Sequence, residues 1–279
     1  LFVASGTMAN QIALRILGRS GSIVFAGRHQ HLVVREAGAA GVNSGAQVVT
    51  LDDDDGTIDP AQVARWIADA DEGWANPAAV FVEDTHGEAG GRVWPLDRLR
   101  AIGGLGIPVH LDGARLWNAA VASGTTVADR AEPATTVSCC LSKGLGAPIG
   151  SLLAGPADLI AAARAERKRL GGMMRQVGVL AAAGLVALDR IDRLADDHAQ
   201  ARRLAEAAAL RWPGSVDPAE VHTNIVCIAH PDPVALVAHL EEHDVLALTN
   251  NSAALRLVTH ADVDDDDIER TVAAMEAAP

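Results

Sequence analysis

Short apolar runs separated by helical patterns dominate the first part of the chain. The runs are continuously apolar rather than alternating, which is typical of strands in a mostly parallel sheet that is covered on both faces. They are SIVFAG (22–27), AQVVTL (46–51), AVFVED (79–84), IPVHLDG (107–113), TVSCCLS (136–142) and GSLLAG (150–155). The pattern therefore predicts an α/β fold with a mostly parallel central sheet and helices on both faces.

Helix signals lie between these runs. Thr7 is predicted to cap a first helix, and Asp59 followed by Pro60 is predicted to begin another. The apolar face of the first helix repeats at helical spacing and comprises Ala9, Ile12, Ala13, Ile16 and Leu17.

The character of the chain changes after residue 155. Alanine-rich helical stretches run to residue 211, and the remainder mixes strands near 222–229, 245–248 and 255–259 with helices near 233–243 and 265–277. There is no internal repeat and no low-complexity linker. We therefore expect a large domain over residues 1–192 and a smaller C-terminal α+β domain over residues 193–279.

The chain is acidic, with a formal net charge of −13. It lacks the basic stripe that nucleic-acid binding requires. Two acidic runs, at 52–55 and 264–267, each precede a predicted helix, so we expect them to form solvated turns and caps. A calcium loop is the alternative, but the spacing differs from that of an EF-hand.

Cysteine usage and hydropathy bear on the compartment. Cys139, Cys140 and Cys227 lack metal-ligand spacing, so we expect buried thiols in a reducing compartment, the cytoplasm. No apolar run reaches membrane-spanning length, so no membrane partner is expected. The chain begins at Leu1 and runs at once into LFVASGT, which reads as a strand entering a functional turn. We therefore expect sequence upstream of Leu1 to be missing.

Lys143 is the first candidate for chemistry, because it is a lone charge in the apolar, glycine-rich segment SCCLSKGLGAPIGSLLAG (138–155). Burial lowers the pKa of a lysine, and the resulting amine can form a Schiff base. Pyridoxal phosphate is the commonest aldehyde that enzymes hold on a lysine, so it is the cofactor this residue suggests. The alternative is a lysine whose stem lies along a strand end and whose ammonium reaches water.

Further candidates follow predicted strand ends, where ligands bind in an open α/β sheet. The segment SGTMAN (5–10) combines a strand end, a glycine turn and a helix start, so the N–H groups of Gly6 and Thr7 are candidates for a phosphate site. Asp112 ends the strand PVHL and is a candidate partner for a pyridine nitrogen. The alternative for Asp112 is a helix cap or an ion pair with Arg115.

Two histidines and two arginines complete the set. His31, in AGRHQHLVVREAGAA, and His86, in FVEDTHGEAGGRV, are candidates to stack on a cofactor ring or to move a proton. The alternative is that both are ordinary hydrogen-bonded residues. Arg256, on the strand ALRLVTH, is a candidate for holding a substrate carboxylate, and a surface ion pair is its alternative. Arg175, in LGGMMRQ, lies beside glycines that permit close approach of a ligand.

These motifs together resemble the low-specificity L-threonine aldolases, in the β-eliminating lyase group of fold-type I pyridoxal-phosphate enzymes. They follow the family's order along essentially the whole chain: SGTMAN, HLVVREAG, EDTHGEAGGRV, HLDGARLWNA, LSKGLGAPIGSLL, GGMMRQ, VLAAAG and RLVTH. The family begins with a further segment that contains a serine near the substrate carboxylate. The sequence here does not include that segment.

The resemblance implies how pyridoxal phosphate is held. Lys143 forms the Schiff base, Asp112 binds the pyridine nitrogen and His31 stacks on the ring. Gly6 and Thr7 bind the phosphate.

The resemblance also implies the substrate site. Arg115 and Arg256 hold the substrate carboxylate or a ring oxygen, and His86 lies near the substrate hydroxyl. Lys168 and Arg175 match a basic pair near the cofactor that reaches across a subunit interface, which implies a homodimer or homotetramer.

The implied reaction is cleavage of L-threonine or L-allo-threonine to glycine and acetaldehyde. Two alternatives stay open. One is β-elimination or transamination on the same lysine and aspartate, and the other is a chain that folds without catalytic activity.

Overall fold

The computed structural model describes residues 1–251 and 253–278, which form two β-sheets with helices packed around them. The strands of the larger sheet are β1 (Phe2–Val3), β2 (Ile23–Gly27), β3 (Gln47–Leu51), β4 (Pro77–Glu83), β5 (Val109–Gly113), β6 (Thr136–Cys140) and β7 (Ser151–Ala154).

The larger sheet has the strand order β1-β7-β6-β5-β4-β2-β3. The strands β2 to β6 pair in parallel, whereas β7 is antiparallel to β6 and β1 is antiparallel to β7. All residues of β2 and β5 are buried, as expected for strands covered on both faces. The predicted α/β fold with a mostly parallel sheet is confirmed.

Helices connect the strands and cover the sheet. Among the described residues they are α1 (Gly6–Leu17), α2 (His31–Val34), α3 (Ala39–Ser44), α4 (Pro60–Asp69), α5 (Leu96–Gly103), α6 (Leu116–Ser123), α7 (Val127–Ala131), α8 (Ala157–Arg169), α9 (Gly178–Leu188), α10 (Leu194–Arg211), α11 (Pro233–Glu241) and α12 (Asp265–Ala277). Within this described part of the chain, none of the helices has both the length and the apolar character of a membrane-spanning segment.

The helix caps correct one expectation. Ser5, not Thr7, caps α1, because the Ser5 hydroxyl accepts a hydrogen bond from the N–H of Met8 at 3.1 Å while Thr7 is already helical. Asp59 caps α4 as predicted and accepts from the N–H of Ala61 at 2.9 Å.

The two acidic runs behave differently. Asp264 and Asp267 form a reciprocal capping box at the start of α12, so the predicted cap is confirmed there. In the first run, Asp55 accepts from the N–H and hydroxyl of Thr57 in a turn. Asp53, however, is buried with 1% exposure, so the expectation that this whole run is solvated is wrong.

The smaller sheet contains β8 (Ile225–Ala229), β9 (Leu248–Asn251) and β10 (Ala254–Val258) in the antiparallel order β8-β10-β9. Helices α10, α11 and α12 share its core, which includes Leu204, Leu236, Leu240, Leu255, Ile268 and Met275. The first residue of α10, Leu194, packs instead with Leu141 and Leu145 of the larger part. Helix α10 therefore contacts both parts, and the division at residues 192 and 193 stays a prediction.

A fully buried ion pair between Arg130 and Asp84 fixes the segment that follows β4. Nε and Nη2 of Arg130 donate to Oδ2 of Asp84 at 2.7 and 2.5 Å, and Nη2 also donates to the carbonyl of Trp94 at 2.8 Å. Oδ1 of Asp84 accepts from the N–H of Trp94 at 3.1 Å. Burial raises the pKa of Asp84, and the charge of Arg130 opposes that rise. The pair therefore holds residues 84–94 against α7.

Arg130→Met should lower the free energy of unfolding by about 3–5 kcal/mol, because it leaves the Asp84 carboxylate buried without its cation. Urea denaturation followed by circular dichroism measures the change. The control is Arg100→Ala, which removes an exposed pair with Glu132 at 3.6 Å and should cost less than about 1 kcal/mol. Equal losses for the two variants would contradict the role given to the buried pair.

Candidate active site

A cavity of about 490 Å³ lies at the carboxyl ends of the parallel strands, between the larger and the smaller sheet. Three of the predicted site residues, His86, Lys168 and Arg175, do not line it. Those that do are Gly6, Thr7, His31, Asp112, Arg115, Lys143 and Arg256.

The strand topology explains this convergence. Glu83 ends β4 and lies beside Asp112 of β5 in parallel register, so both carboxyl groups are at one edge of the sheet. The loop after β6 carries Lys143, and the turn after β1 carries Gly6. Arg256 comes from β10, so the smaller sheet supplies one wall.

Lys143 is exposed to the open cavity rather than buried, which corrects the expectation of a buried lysine. Protein atoms still surround much of its side chain. Desolvation lowers the pKa of Lys143, and the nearby positive charge of Arg115 lowers it further. Its amine is therefore easier to deprotonate than that of an ordinary surface lysine, which suits Schiff-base formation.

Asp112 is buried and hydrogen-bonded on both oxygens. Its Oδ2 accepts from Nδ2 of Asn10 at 2.6 Å, and its Oδ1 accepts from the N–H of Ala114 at 3.1 Å. The predicted alternative, an ion pair with Arg115, is absent from the ion pairs of the described residues. The carboxylate thus faces the cavity without a guanidinium bound to it.

His31 begins α2 and is tied to two buried carboxylates. Its N–H donates to Oε2 of Glu83 at 2.6 Å, and its Nδ1 lies 2.9 Å from Oε1 of Glu36. The hydrogen bond to Glu36 raises the pKa of His31, although partial burial opposes the rise. The ring therefore holds a proton more firmly than a free histidine does, and its Nε2 is the nitrogen not used by Glu36.

Arg115 and Arg256 are two half-buried cations on the same cavity. Desolvation, followed by the charge of Arg256, lowers the pKa of Arg115 to about 10. Nε of Arg256 is buried and has no hydrogen-bond partner among the described residues. Two neighbouring guanidinium groups with an unsatisfied donor favour binding of an anion such as a carboxylate.

His86 lies outside the cavity wall, contrary to its expected place beside a substrate hydroxyl. It is fully buried, its Nε2 is 2.9 Å from Oδ2 of Asp53, and its Nδ1 accepts from the N–H of Ala89 at 3.1 Å. Burial lowers the pKa of His86, but the bond to Asp53 and the negative charges of Glu83, Asp53 and Glu88 together outweigh that effect and the net shift is upward. Both ring nitrogens are occupied, so this geometry does not offer His86 as a base.

Lys168 and Arg175 are exposed and do not line the cavity of their own chain. Lys168 lies in the last turn of α8, and Arg175 lies in the segment between α8 and α9. Within one chain, the structure does not bring either of them to the other candidates.

The polar groups that line the cavity match the phosphate, aldehyde and ring nitrogen of pyridoxal phosphate. The first-turn N–H groups of α1, at Gly6 and Thr7, have no acceptor within the helix and form an anion site. A Cβ added to Gly6 would lie 3.2 Å from Sγ of Cys140, so glycine allows this turn to approach β6 closely. The lysine amine and the carboxylate of Asp112 line the same cavity as this turn.

Sequence reasoning missed Asn10, Glu36 and Glu83. Glu36 and Glu83 stood in the quoted motifs HLVVREAG and AVFVED, where each is an acid beside an apolar run. Asn10 lies within the first apolar helix, and its polarity among buried neighbours is the signal that identifies it. All three are buried, with at most 7% exposure.

Comparison with known proteins identifies relatives over the whole chain. The sequence profile of the β-eliminating lyase family matches residues 1–231. The chain is 36% identical to low-specificity L-threonine aldolase 1 of Arabidopsis thaliana, over 100% of this chain and 82% of the relative. It is also 36% identical to the low specificity L-threonine aldolase of Escherichia coli K12, over 98% of this chain and 82% of the relative.

Solved structures share the fold. A threonine aldolase from Leishmania major has a TM-score of 0.83 at 22% identity, over 99% of this chain and 82% of that one. A serine palmitoyltransferase from S. paucimobilis, solved with a PLP–myriocin aldimine, has a TM-score of 0.76 at 16% identity, over 100% of this chain and 71% of that one. The fold expected from the motifs is therefore confirmed.

Glu36→Gln should lower the pKa of His31, because it removes the anion that stabilises the imidazolium. The folded pKa of His31 lies above the ordinary value of 6.5, so the stability that this pair contributes is fully present below that pH and is lost as the pH rises through the folded pKa. Titration of the His31 ring by NMR measures the shift, and urea denaturation across the same pH range measures the stability.

Glu88→Gln is the control, since Glu88 pairs with Arg35 rather than with His31. It should leave the His31 titration close to that of the unaltered chain. An unchanged pKa of His31 in Glu36→Gln would contradict the pairing.

Proposed function

We propose, since the chain belongs to the β-eliminating lyase family and to the low-specificity L-threonine aldolases within it, that it cleaves L-threonine and L-allo-threonine to glycine and acetaldehyde with pyridoxal phosphate. One observation carries the proposal. A lysine amine with a lowered pKa, a buried carboxylate and two arginines line one cavity, and the buried Nε of one of them, Arg256, has no hydrogen-bond partner among the described residues.

The cofactor's binding follows from the donors in that cavity. Lys143 would hold its aldehyde carbon, Asp112 its pyridine nitrogen and His31 one ring face, while Gly6 and Thr7 would bind its phosphate. When bound, pyridoxal phosphate supplies a conjugated ring that accepts the electron pair released as the Cα–Cβ bond breaks.

Arg256 and Arg115 bind and orient the substrate. Bidentate contact of a guanidinium with the α-carboxylate fixes the direction of the Cα–Cβ bond relative to the ring. Holding the reactants in one orientation lowers the activation barrier by several kcal/mol, on the order of 7 kcal/mol or more in the best cases. The unsatisfied Nε of Arg256 supports this role, because a bound carboxylate would provide its missing acceptor.

His31 is the base that this geometry favours for the substrate hydroxyl. Its Nδ1 is held by Glu36, and the pair with that carboxylate raises the proton affinity of the ring. Nε2 would accept the hydroxyl proton directly or through water, a contribution of about 10²- to 10⁴-fold. His86 stabilises the neighbouring loop through Asp53 and Ala89 and would act on the substrate only after a rearrangement.

A second copy of the chain is proposed to complete the assembly as a homodimer or homotetramer. Helix α9 has the sequence GVLAAAGLVAL, which is apolar all round, and yet Val179, Leu185 and Val186 on it are between 59% and 76% exposed. An apolar helix of this kind needs a partner surface. Lys168 and Arg175, which flank this region, would then reach the cavity of the neighbouring subunit.

The proposed location is the cytoplasm. All three cysteines are free thiols, with Cys140 buried and the other two partly buried. Free thiols of this kind are typical of a reducing compartment.

Incubation with L-threonine and L-allo-threonine should yield glycine and acetaldehyde in equal amounts, and Lys143→Ala should abolish this turnover. Lys143 and Lys168 are the two lysines of the chain, so borohydride reduction followed by peptide mass mapping should place the cofactor on Lys143. Lys168→Ala is the matched control and should keep the imine absorbance. 2-Oxobutyrate and ammonia without glycine would instead indicate β-elimination, and absence of an imine band would indicate a non-catalytic chain.

Leu185→Glu should convert the assembly to smaller species, since a carboxylate on an apolar contact opposes association. Sedimentation velocity measures the effect. Arg65→Glu, on α4, is the control and should leave the sedimentation coefficient unchanged. A monomeric unaltered chain would contradict the proposed assembly.

A further inference from the structure

Asn10 connects the two sides of the cavity that the proposed reaction uses separately. It lies on α1, with 1% of its surface exposed. Its Nδ2 donates to Oδ2 of Asp112 at 2.6 Å and to Oε1 of Glu36 at 2.8 Å. The same oxygen of Glu36 lies 2.9 Å from Nδ1 of His31. One amide nitrogen therefore bridges the carboxylate assigned to the cofactor's ring nitrogen and the carboxylate that is hydrogen-bonded to His31.

The amide has only one orientation that fits its neighbours. Ionised carboxylates accept hydrogen bonds and do not donate them, so the NH₂ group must face Asp112 and Glu36. The amide oxygen then faces Nε2 of His110 at 3.1 Å and the hydroxyl of Ser138 at 3.4 Å. Both of these are donors, so each side of the amide meets groups of the correct kind.

A hydrogen bond from His110 fixes the orientation of the Asn10 amide. It is fully buried on β5, and burial lowers its pKa to about 4, so its ring is neutral. With Nε2–H donated to Asn10, Nδ1 accepts from the hydroxyl of Thr136 at 2.8 Å. The neutral histidine thus holds the amide oxygen without adding a charge that would compete for the carboxylates.

Charge explains why an amide is needed at this point. Carboxylate oxygens of Glu36 and Asp112 and a ring nitrogen of His31 lie within 4.8 Å of one another, and both acids are nearly inaccessible to water. Two carboxylates so close in a buried site repel each other. Two N–H donors placed between them offset that repulsion through charge-assisted hydrogen bonds.

We propose that Asn10 is a positioning residue that keeps Asp112 aimed at the cofactor's ring nitrogen while it keeps Glu36 on His31. The proposal rests on the proposed function, since it concerns the same cofactor site. Without Asn10, Asp112 would lose its shortest hydrogen bond and would lie beside a Glu36 that has lost one of its three hydrogen-bond partners. The contact to the ring nitrogen would then weaken, even if the cavity kept its shape.

A cofactor analogue separates this role from a general contribution to folding. The deaza analogue of pyridoxal phosphate has a C–H group in place of the ring nitrogen and retains the aldehyde and the phosphate. The ratio of its dissociation constant to that of pyridoxal phosphate, measured by imine absorbance on the apoprotein, reports only on the contact at the ring nitrogen. For the unaltered chain this ratio should be about tenfold or more, the usual strength of a charged hydrogen bond.

Four variants test the proposal. Asn10→Leu should reduce the ratio to the value of Asp112→Ala, which defines loss of the ring-nitrogen contact. Gln11→Leu is the matched control, because the Gln11 amide donates to Oε2 of Glu36 at 2.6 Å and is equally buried, but it has no bond to Asp112. It should keep the ratio of the unaltered chain. Asn10→Ser retains one donor and should give an intermediate ratio, which provides the test should Asn10→Leu fail to fold.

An Asn10→Leu or Asn10→Ser protein with the unaltered ratio would overturn the proposal, whatever its thermal stability. Loss of the ratio in Gln11→Leu would also overturn it, since any buried amide on α1 would then have the same effect. If the unaltered chain forms no imine with either aldehyde, the proposed function itself fails.

Discussion

Buried negative charge is the constraint around which the cavity is built. Glu36, Glu83 and Asp112 lie at the carboxyl edge of the larger sheet with almost no contact with water, and a buried carboxylate persists only where N–H donors or cations surround it. Glu83 accepts from the N–H groups of His31 and Gly87, which ties the start of α2 and the loop after β4 to the same point. The lysine and arginines that face the cavity are the counter-charges to this anionic floor. The buried carboxylates therefore have two effects. They position the loops through hydrogen bonds, and they stabilise the cationic side chains that an anionic ligand requires.

Much of the fold could be predicted from the local sequence pattern, because a strand that is covered on both faces has apolar residues at successive positions. The run SIVFAG predicted β2, and IPVHLDG predicted β5. The antiparallel direction of β7 could not be predicted, since direction depends on how the loop that carries Lys143 returns to the sheet. The cap of α1 was assigned two residues too late for a related reason. Serine and threonine both cap helices, and only the backbone path decides which of Ser5 and Thr7 stands outside the first turn.

The site could be predicted to the extent that strand ends imply proximity. Asp112 lies at the end of β5 and Lys143 follows the adjacent strand β6, and the structure places both on one cavity. His86 also follows a strand end, but its ring turns toward Asp53, an acid that looked like one of four exposed ones. The contact between His86 and Asp53 depends on packing between distant segments, so the sequence around either residue does not indicate it. The same applies to Asn10, whose partners Glu36 and Asp112 lie in the turn after α2 and on β5 and come together only in the folded chain.

The cavity has walls from two sheets, and this has a thermodynamic consequence. Lys143 belongs to the larger part, whereas Arg256 belongs to β10 of the smaller one. A molecule held by both loses part of its binding free energy whenever the two parts separate, so occupancy and packing of the two sheets are linked. The long helix α10 also contributes residues to the cores of both parts. A ligand bound in the cavity is therefore expected to hold the two sheets together, so that they separate and unfold more cooperatively than they do without it.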